Sequence, residues 1–113
     1  MHELPAVTEL IRTLDEEGEK SGINKITRVT MVVGELSSIE EECVRYYFEL
    51  LSEGRSSQGA KLSFIKSYAR LRCEKCGSEF EHRGSFNCPK CDGNGVLVKG
   101  SGREFLIKDF SGE

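Results

Sequence analysis

Cys73-Glu-Lys-Cys76 and, eleven residues later, Cys88-Pro-Lys-Cys91 make up the stretch that decides the fold of this chain. Within each pair, two intervening residues let the backbone turn so that both sulfurs face one point, about 2.3 Å from a tetrahedral zinc ion. Four thiolates close the coordination sphere and leave no position for water or substrate. The spacing therefore predicts one structural zinc ion, held by Cys73, Cys76, Cys88 and Cys91.

Two other chemistries use the same ligands. A pair of redox-active CxxC motifs is the weaker alternative, because such a motif normally occurs once, where a strand meets a helix. An iron site of the rubredoxin type stays open, since spacing alone does not choose between the metals. The segment 71–98 has few apolar residues, so we expect the metal to supply most of its stability, on the order of 10 kcal/mol.

Composition narrows the class of protein. The chain has 113 residues, a formal charge of −3 and five cysteines. Its first residues do not resemble an export signal, and its longest apolar run, 31–33, is far shorter than the roughly 20 residues that cross a bilayer. These features predict a soluble cytoplasmic protein without a membrane partner. The negative charge also disfavours a protein that mainly neutralises phosphates.

The residues on either side of the cysteines predict a small α/β unit. Apolar residues at helical spacing from Leu4 to Leu14 indicate a first helix, and β-branched residues from 26 to 33 indicate a strand closed by Gly34. Ser37 or Ser38 can cap a second helix. Alternation from 60 to 71 predicts another strand, and 104–110 predicts the last one.

We therefore expect an α+β fold in which a small mixed three-stranded sheet carries two helices. A zinc-ribbon-like module with four cysteines interrupts this unit before the last strand. The expected domains are 1–70 plus 99–113, and 71–98.

Two residues with reactive side chains receive ordinary structural interpretations. Cys43 lies four residues from Ile39 and from Tyr47 on the second helix, which predicts a small buried apolar residue. His82 lies between the cysteine pairs among charged neighbours, which predicts exposure to solvent; an exchangeable zinc ligand is the alternative.

The N-terminus, Met1-His2-Glu3, offers a second set of metal donors. The terminal amine, the backbone nitrogen and the imidazole are adjacent, and a nitrogen-rich, near-planar set suits Ni(II) and Cu(II). Glu3 adds a carboxylate or a further backbone nitrogen. On chemistry alone, an exposed terminal histidine without metal is the more ordinary interpretation.

The combination of features resembles the HypA/HybF family. The Met-His-Glu start, the α-β-α-β order, the turn 33–35 and the inserted CxxC-x11-CxxC module occur in that family's order over essentially the whole chain. Members are nickel metallochaperones for maturation of nickel–iron hydrogenase and, in some organisms, of urease. The resemblance implies a binding protein, not an enzyme.

The resemblance also implies roles for single residues. Nickel binds through Met1, His2 and Glu3, with His2 indispensable, and in some members an acidic residue at the start of the second helix contributes. Glu40 falls at that place. Glu40 also fits the third helical position of a capping box with Ser37, and this structural interpretation ranks first.

The resemblance further implies a HypB-type GTPase as nickel donor and the hydrogenase large subunit as recipient, and leaves self-association open. Two rival functions remain. One is a zinc-ribbon nucleic-acid module, because residues 70–99 carry six basic against four acidic side chains, but this is no basic stripe and nucleic acid is disfavoured. The other is a zinc-stabilised interaction domain without metal traffic.

Overall fold

The computed structural model describes residues 3–113. It contains two helices and six strands in the order α1 (Glu3–Lys20), β1 (Ile26–Gly34), α2 (Glu41–Leu51), β2 (Lys61–Ser67), β3 (Arg70–Cys73), β4 (Glu79–Glu81), β5 (Gly95–Leu97) and β6 (Phe105–Gly112). The strands form two three-stranded sheets. Among these residues, no helix combines the length and apolarity that crossing a membrane requires.

The first sheet has the strand order β2-β1-β6. β1 pairs in parallel with β2 and antiparallel with β6, so the sheet is mixed, as predicted. The β1 residues on one face are buried against both helices, because alternate side chains of a strand point to opposite faces. The buried core of this unit consists of Val7, Leu10, Ile11, Leu14, Ile26, Val29, Met31, Val33, Val44, Phe48 and Leu62.

The second sheet is smaller, has the order β4-β3-β5 and is antiparallel throughout. It carries the two cysteine pairs, and it lies in the chain between β2 and β6. The expected fold class is therefore confirmed: two helices on a mixed three-stranded sheet, with a zinc-ribbon-like insertion before the last strand.

Two details of the prediction were wrong. The alternating stretch 60–71 is not one strand, because β2 ends at Ser67 and β3 begins at Arg70 in the other sheet. Helical spacing also predicts one apolar face of α2 that contains Ile39, Cys43, Tyr47, Leu50 and Leu51. Ile39, Tyr47 and Leu51 do pack against the core beside the buried Val44 and Phe48, but Leu50 is exposed. A helix of only eleven residues buries a narrow stripe of side chains against the sheet, and tertiary contacts decide which residues lie in that stripe.

Candidate metal centres

The four cysteine side chains meet at the turns beside the second sheet, and only Cys73 lies in one of its strands. Their sulfur atoms all lie within 4.8 Å of one another. The Sγ atoms of Cys73 and Cys91 are 3.4 Å apart, and those of Cys76 and Cys88 are 3.6 Å apart. A tetrahedral ion with Zn–S bonds of about 2.3 Å needs sulfurs about 3.8 Å apart. The donor set and its spacing therefore fit a four-coordinate metal of this size.

Both cysteine pairs lie in the same kind of tight turn. The Gly77 N–H donates to the Cys73 carbonyl over 3.0 Å, and the Asp92 N–H donates to the Cys88 carbonyl over the same distance. Gly77 has φ 77°, in the left-handed region that glycine adopts without strain, and Asp92 has φ 60°. In each turn, backbone N–H groups also point at a cysteine sulfur. The Lys75 nitrogen, for example, lies 3.3 Å from Cys73 Sγ. Such donors stabilise the negative charge of thiolate ligands.

The surroundings of the four cysteines shift the pKa values of their thiols in different directions. The Ser78 hydroxyl and backbone N–H, together with the other thiols, lower the pKa of Cys76 to about 6. The Cys76 and Lys75 N–H groups lower the pKa of Cys73. The Gly93 N–H acts to lower the pKa of Cys91, but the neighbouring thiols and burial together raise it to about 12. Thiols this close together cannot all lose their protons unless a cation binds between them, because the negative charges repel one another.

The protein core around the cluster is small. Leu71 is fully buried and packs at the centre of the second sheet, whereas Phe86 is 58% exposed and Val96 and Leu97 are also exposed. The other buried side chains within 71–98 are those of Cys73 and Cys88 themselves. This agrees with the expectation that apolar packing alone is too weak to hold the segment.

His82 was predicted to be exposed, and this was wrong. Its side chain is 22% exposed, its Nδ1 lies 3.1 Å from Glu35 Oε1, and its ring packs on Phe86 with centroids 4.6 Å apart. His82 is not part of the metal-ligand group found among residues 3–113. It belongs instead to the junction between the two sheets.

Glu35 is the centre of that junction, and sequence reasoning missed it. Its Oε2 accepts the Ala69 N–H over 2.6 Å, and the His82 N–H donates to the Ala69 carbonyl over 2.8 Å. The Ala69 N–H and the adjacent His82 and Lys66 hold the pKa of Glu35 below its ordinary value of 4.5 against the effect of burial. An acidic residue directly after the closing Gly34 of a strand was the only sequence signal.

Glu3 contacts the last residue of the turn 35–40, whose first residue is Glu35. It is 3% exposed, and its Oε2 accepts the Glu40 N–H over 3.0 Å. The first residue of α1 thus caps the N-terminus of α2, where a carboxylate is favoured by the free N–H groups and the helix dipole. Met1 and His2, the other predicted nickel ligands, lie outside the described residues.

The predicted capping box was wrong. The N-cap of α2 is Glu40, not Ser37 or Ser38, and the Glu40 side chain makes no capping hydrogen bond. The carboxylate of Glu40 is exposed beside the buried carboxylate of Glu3. Cys43 follows on the same helix and is half-buried, and burial together with Glu3 and Glu40 raises the pKa of its thiol. The sulfur therefore stays protonated, in keeping with the packing role expected for it.

A family model described as "Hydrogenase/urease nickel incorporation, metallochaperone, hypA" matches residues 1–112. The chain belongs to the HypA family.

Relatives and solved structures agree with this assignment. The "Hydrogenase maturation factor HypA" of Caldanaerobacter subterraneus subsp. tengcongensis is 43% identical, and that of Moorella thermoacetica is 38% identical, with full coverage of both chains in each case. The solution structure of the Ni metallochaperone HypA from Helicobacter pylori matches with a TM-score of 0.68 at 26% identity, over 97% of this chain and 96% of that one. A second HypA solution structure matches with a TM-score of 0.73 at 26% identity, over 100% and 97%.

The part of the chain that matches the HypA family model includes both candidate metal centres. The match begins at residue 1 and extends past the four cysteines, so it includes the N-terminal residues as well as the sulfur cluster. The resemblance seen in the sequence is thus confirmed for the family and for the fold.

Proposed function

We propose that this HypA-family chain is a nickel carrier. It binds Ni(II) at its N-terminus through Met1, His2 and Glu3 and releases the ion for maturation of nickel–iron hydrogenase, with urease as a second recipient. The observation that carries the proposal is the match of residues 1–112 to a nickel-incorporation family. The relatives of full matching length bear the name hydrogenase maturation factor, which supports hydrogenase as the first recipient.

The donors at the N-terminus suit a carrier. The terminal amine, backbone nitrogens and the imidazole of His2 form adjacent chelate rings around a metal that prefers nitrogen. Because Oε2 of Glu3 already accepts the Glu40 N–H, Glu3 contributes its backbone nitrogen in this proposal. Backbone nitrogen binds only after losing its proton, so affinity falls as the pH falls. A site of this kind can release its ion.

Glu40 is proposed as an additional nickel ligand. Its backbone N–H is held by Glu3, and its own carboxylate is exposed and takes no part in capping α2. These contacts support a carboxylate that remains available beside Glu3.

The four cysteines are proposed to hold a structural zinc ion. The fit of the sulfur spacing to tetrahedral Zn–S geometry supports this metal, and four thiolates leave no open coordination position. When bound, zinc joins β3 to the two turns and replaces the apolar core that the segment lacks. We propose the division 1–70 plus 99–113 for the nickel unit and 71–98 for the zinc unit.

The proposed setting follows the family resemblance. A HypB-type GTPase passes nickel to the chain, the hydrogenase large subunit receives it, and the exchange takes place in the cytoplasm. The chain acts by binding and transfer rather than by catalysis, as a metallochaperone does.

The contacts of the second sheet weigh against the nucleic-acid alternative. Arg70 and Arg72 both pair with Glu79, and Arg83 pairs with Glu81. Half of the basic side chains counted in this segment are thus neutralised within it, and the segment, all of which the structure describes, keeps no row of free cations to follow a phosphate backbone.

Calorimetric titration of Ni(II) into zinc-loaded, tag-free protein tests the proposal. The chain has two histidines, so His82→Ala is a matched control for His2→Ala. Glu40→Gln, with Glu41→Gln as its control on the same turn, tests the additional ligand. We expect one tight equivalent per chain, lost in His2→Ala and kept in His82→Ala, with zinc content unchanged.

The opposite result would also be clear. Equal nickel binding by native protein and His2→Ala, or binding by neither, removes the N-terminal site and leaves a zinc-stabilised interaction domain. A loss in His82→Ala equal to that in His2→Ala would move the site to the junction between the sheets.

A further inference from the structure

The first sheet has one face that neither of its helices covers. Both helices pack on the face that contains Val29 and Met31. Because alternate side chains of a strand point to opposite faces, Val32 belongs to the other one, called the outer face below. The register places Ile65 and Leu106 beside Val32 on the two edge strands, and they are 42% and 48% exposed. In the described part of the chain, the outer face is therefore open.

The character of the sheet does not by itself explain an open face. β1 pairs in parallel with β2 and antiparallel with β6. Parallel sheets have helices on both faces, whereas an antiparallel sheet commonly turns one face, lined by polar side chains, toward water. Here one row across all three strands is apolar, since it consists of Ile65, Val32 and Leu106. A contiguous apolar row favours a face that another molecule covers.

The opposite end of the outer face carries two cations side by side. Arg28 is in register with Lys61 on the neighbouring strand, and both residues are exposed. Neither of them makes an ion pair with any residue from 3 to 113. Like charges directly opposite each other on a sheet are destabilising. This pair therefore favours an anionic group supplied from outside.

The other charges of the outer face do not neutralise this pair. Asp109 is in register with Thr30 and adjoins Lys108, which lies at the irregularity of β6. Asp109 is the only acid in the outer rows of the three strands, against the cations Arg28, Lys61 and Lys108. Three cations and one acid leave an excess of two positive charges, whereas the whole chain has a formal charge of −3. Complementary charge favours carboxylates on the molecule that covers this face.

The distance between the cations and the apolar row fixes the spacing that a partner needs. Arg28 and Val32 are four positions apart on β1, which corresponds to about 13 Å along a strand. Thr30 and Ser63 lie in register between the two ends, and their small side chains allow close approach. A helix laid along the strands covers about 13 Å in about nine residues.

The apolar end of the outer face opens into a cleft of about 430 Å³ between the two sheets. Val32, Ile65 and Tyr68 contribute to its lining. The cations at its border are engaged within their own chain: Lys66 by the Tyr68 ring, Arg70 by Glu79 and Arg83 by Glu81. The cleft therefore offers room for a large apolar side chain, and the unpaired cations lie at the other end of the face.

Nucleic acid fits this surface less well than a protein segment. The outer rows of β1, β2 and β6 contain no aromatic side chain on which a base could stack. The apolar row also lies where a phosphate backbone running along the strands would need further cations.

We propose that the outer face docks an amphipathic helix of a partner protein, with carboxylates on Arg28 and Lys61 and apolar side chains on the row of Val32, Ile65 and Leu106. A row of three apolar side chains is far smaller than the core of a permanent interface, so the contact is transient. The surface contains none of the proposed nickel or zinc ligands, and its test is therefore independent of both metal proposals.

The probe is a blocked alanine-based peptide of about 18 residues, long enough to form a helix by itself. It carries two glutamates near its start and two leucines on the same face about nine residues later. A second peptide has lysine in place of both glutamates. Each peptide is titrated into the full zinc-loaded chain and followed by amide NMR shifts.

Two pairs of variants test the two ends of the outer face. Lys61→Glu reverses one of its cations, and Lys99→Glu makes the same change at an exposed lysine outside the first sheet. Ile65→Thr removes apolar surface from the row but keeps a β-branched side chain. Val96→Thr is its control, because Val96 is equally exposed on a strand of the second sheet.

We expect saturable shifts along 28–32, 61–65 and 106–108 with the glutamate peptide, and no comparable shifts with the lysine peptide. Affinity should be about threefold to tenfold lower in Lys61→Glu than in Lys99→Glu, and lower in Ile65→Thr than in Val96→Thr. Absence of shifts at millimolar peptide overturns the proposal. So do equal losses in a variant and its control, which indicate diffuse attraction, and a single-stranded oligonucleotide that shifts the same residues at lower concentration than the peptide.

Discussion

Replacing Glu35 by alanine removes the carboxylate that joins the two sheets. The Ala69 N–H loses an acceptor at 2.6 Å, and His82 Nδ1 loses a partner at 3.1 Å. A hydrogen bond to a charged group contributes about 1.5–3 kcal/mol, and both side chains at the junction are mostly buried, with exposures of 16% for Glu35 and 22% for His82. We expect Glu35→Ala to lower the free energy of unfolding by about 2–3 kcal/mol.

Three further variants separate the contributions at the junction. Glu35→Gln keeps an acceptor for the Ala69 N–H and should cost about half as much as the alanine variant. His82→Ala and the double variant complete a cycle, for which we expect a coupling of about 0.5–1.5 kcal/mol. Glu81→Ala is the control, because its pairing with Arg83 is largely exposed and contributes about 0–1 kcal/mol.

Urea unfolding of the zinc-loaded protein, followed by circular dichroism, measures these differences. The pKa of Glu35 is lowered in the folded chain, so its contribution is fully present above about pH 4.5 and is lost as the pH falls through the lower folded value. The gap between native protein and Glu35→Gln should narrow in that acid window. A coupling of zero, or a Glu35→Ala cost no larger than that of Glu81→Ala, would refute the reasoning.

Other contacts lead to shorter predictions. Stripping the metal from the cysteine cluster with a strong chelator should collapse the amide NMR dispersion of 71–98 while the signals of β1 and the helices persist, because the second sheet has so little apolar core. Glu3→Ala should destabilise the protein in urea by about 1–2 kcal/mol through loss of the cap on Glu40, and Glu3→Gln by less. Gly34→Ala places a methyl group 2.2 Å from the Gly102 carbonyl oxygen, so soluble yield should fall sharply, and any folded product should lose more than about 3 kcal/mol in urea.

The fold was readable from the sequence wherever a local pattern determines the structure. Helical spacing along α1 and β-branched residues along β1 each respond to one buried face, and both elements were predicted within a few residues. The cysteine pairs were equally informative, because the geometry of the metal fixes the spacing of its ligands. The four sulfurs lie together as that spacing requires.

The errors fall where distant residues decide the structure. The alternation of 60–71 continues through the point where the chain leaves one sheet for the other, since both strands obey the same period. The break occurs at Ala69, whose backbone is held by Glu35 and His82, and those residues are 34 positions before it and 13 after it in the sequence. The predicted start of α2 was wrong for the same reason, because the side chain that caps this helix belongs to Glu3, which is distant in the sequence.

The turn 35–40 connects these two tertiary contacts. Glu35 fixes its first residue to the junction with the second sheet, and Glu3 fixes its last residue, Glu40, to the start of α1. Between them, Ser38 adopts φ 57°, a conformation that non-glycine residues adopt only when their surroundings hold them. The turn is therefore restrained by tertiary contacts at both ends. Glu3, the proposed nickel ligand that the structure describes, is thus held by contacts that continue through this turn to the cysteine-bearing sheet.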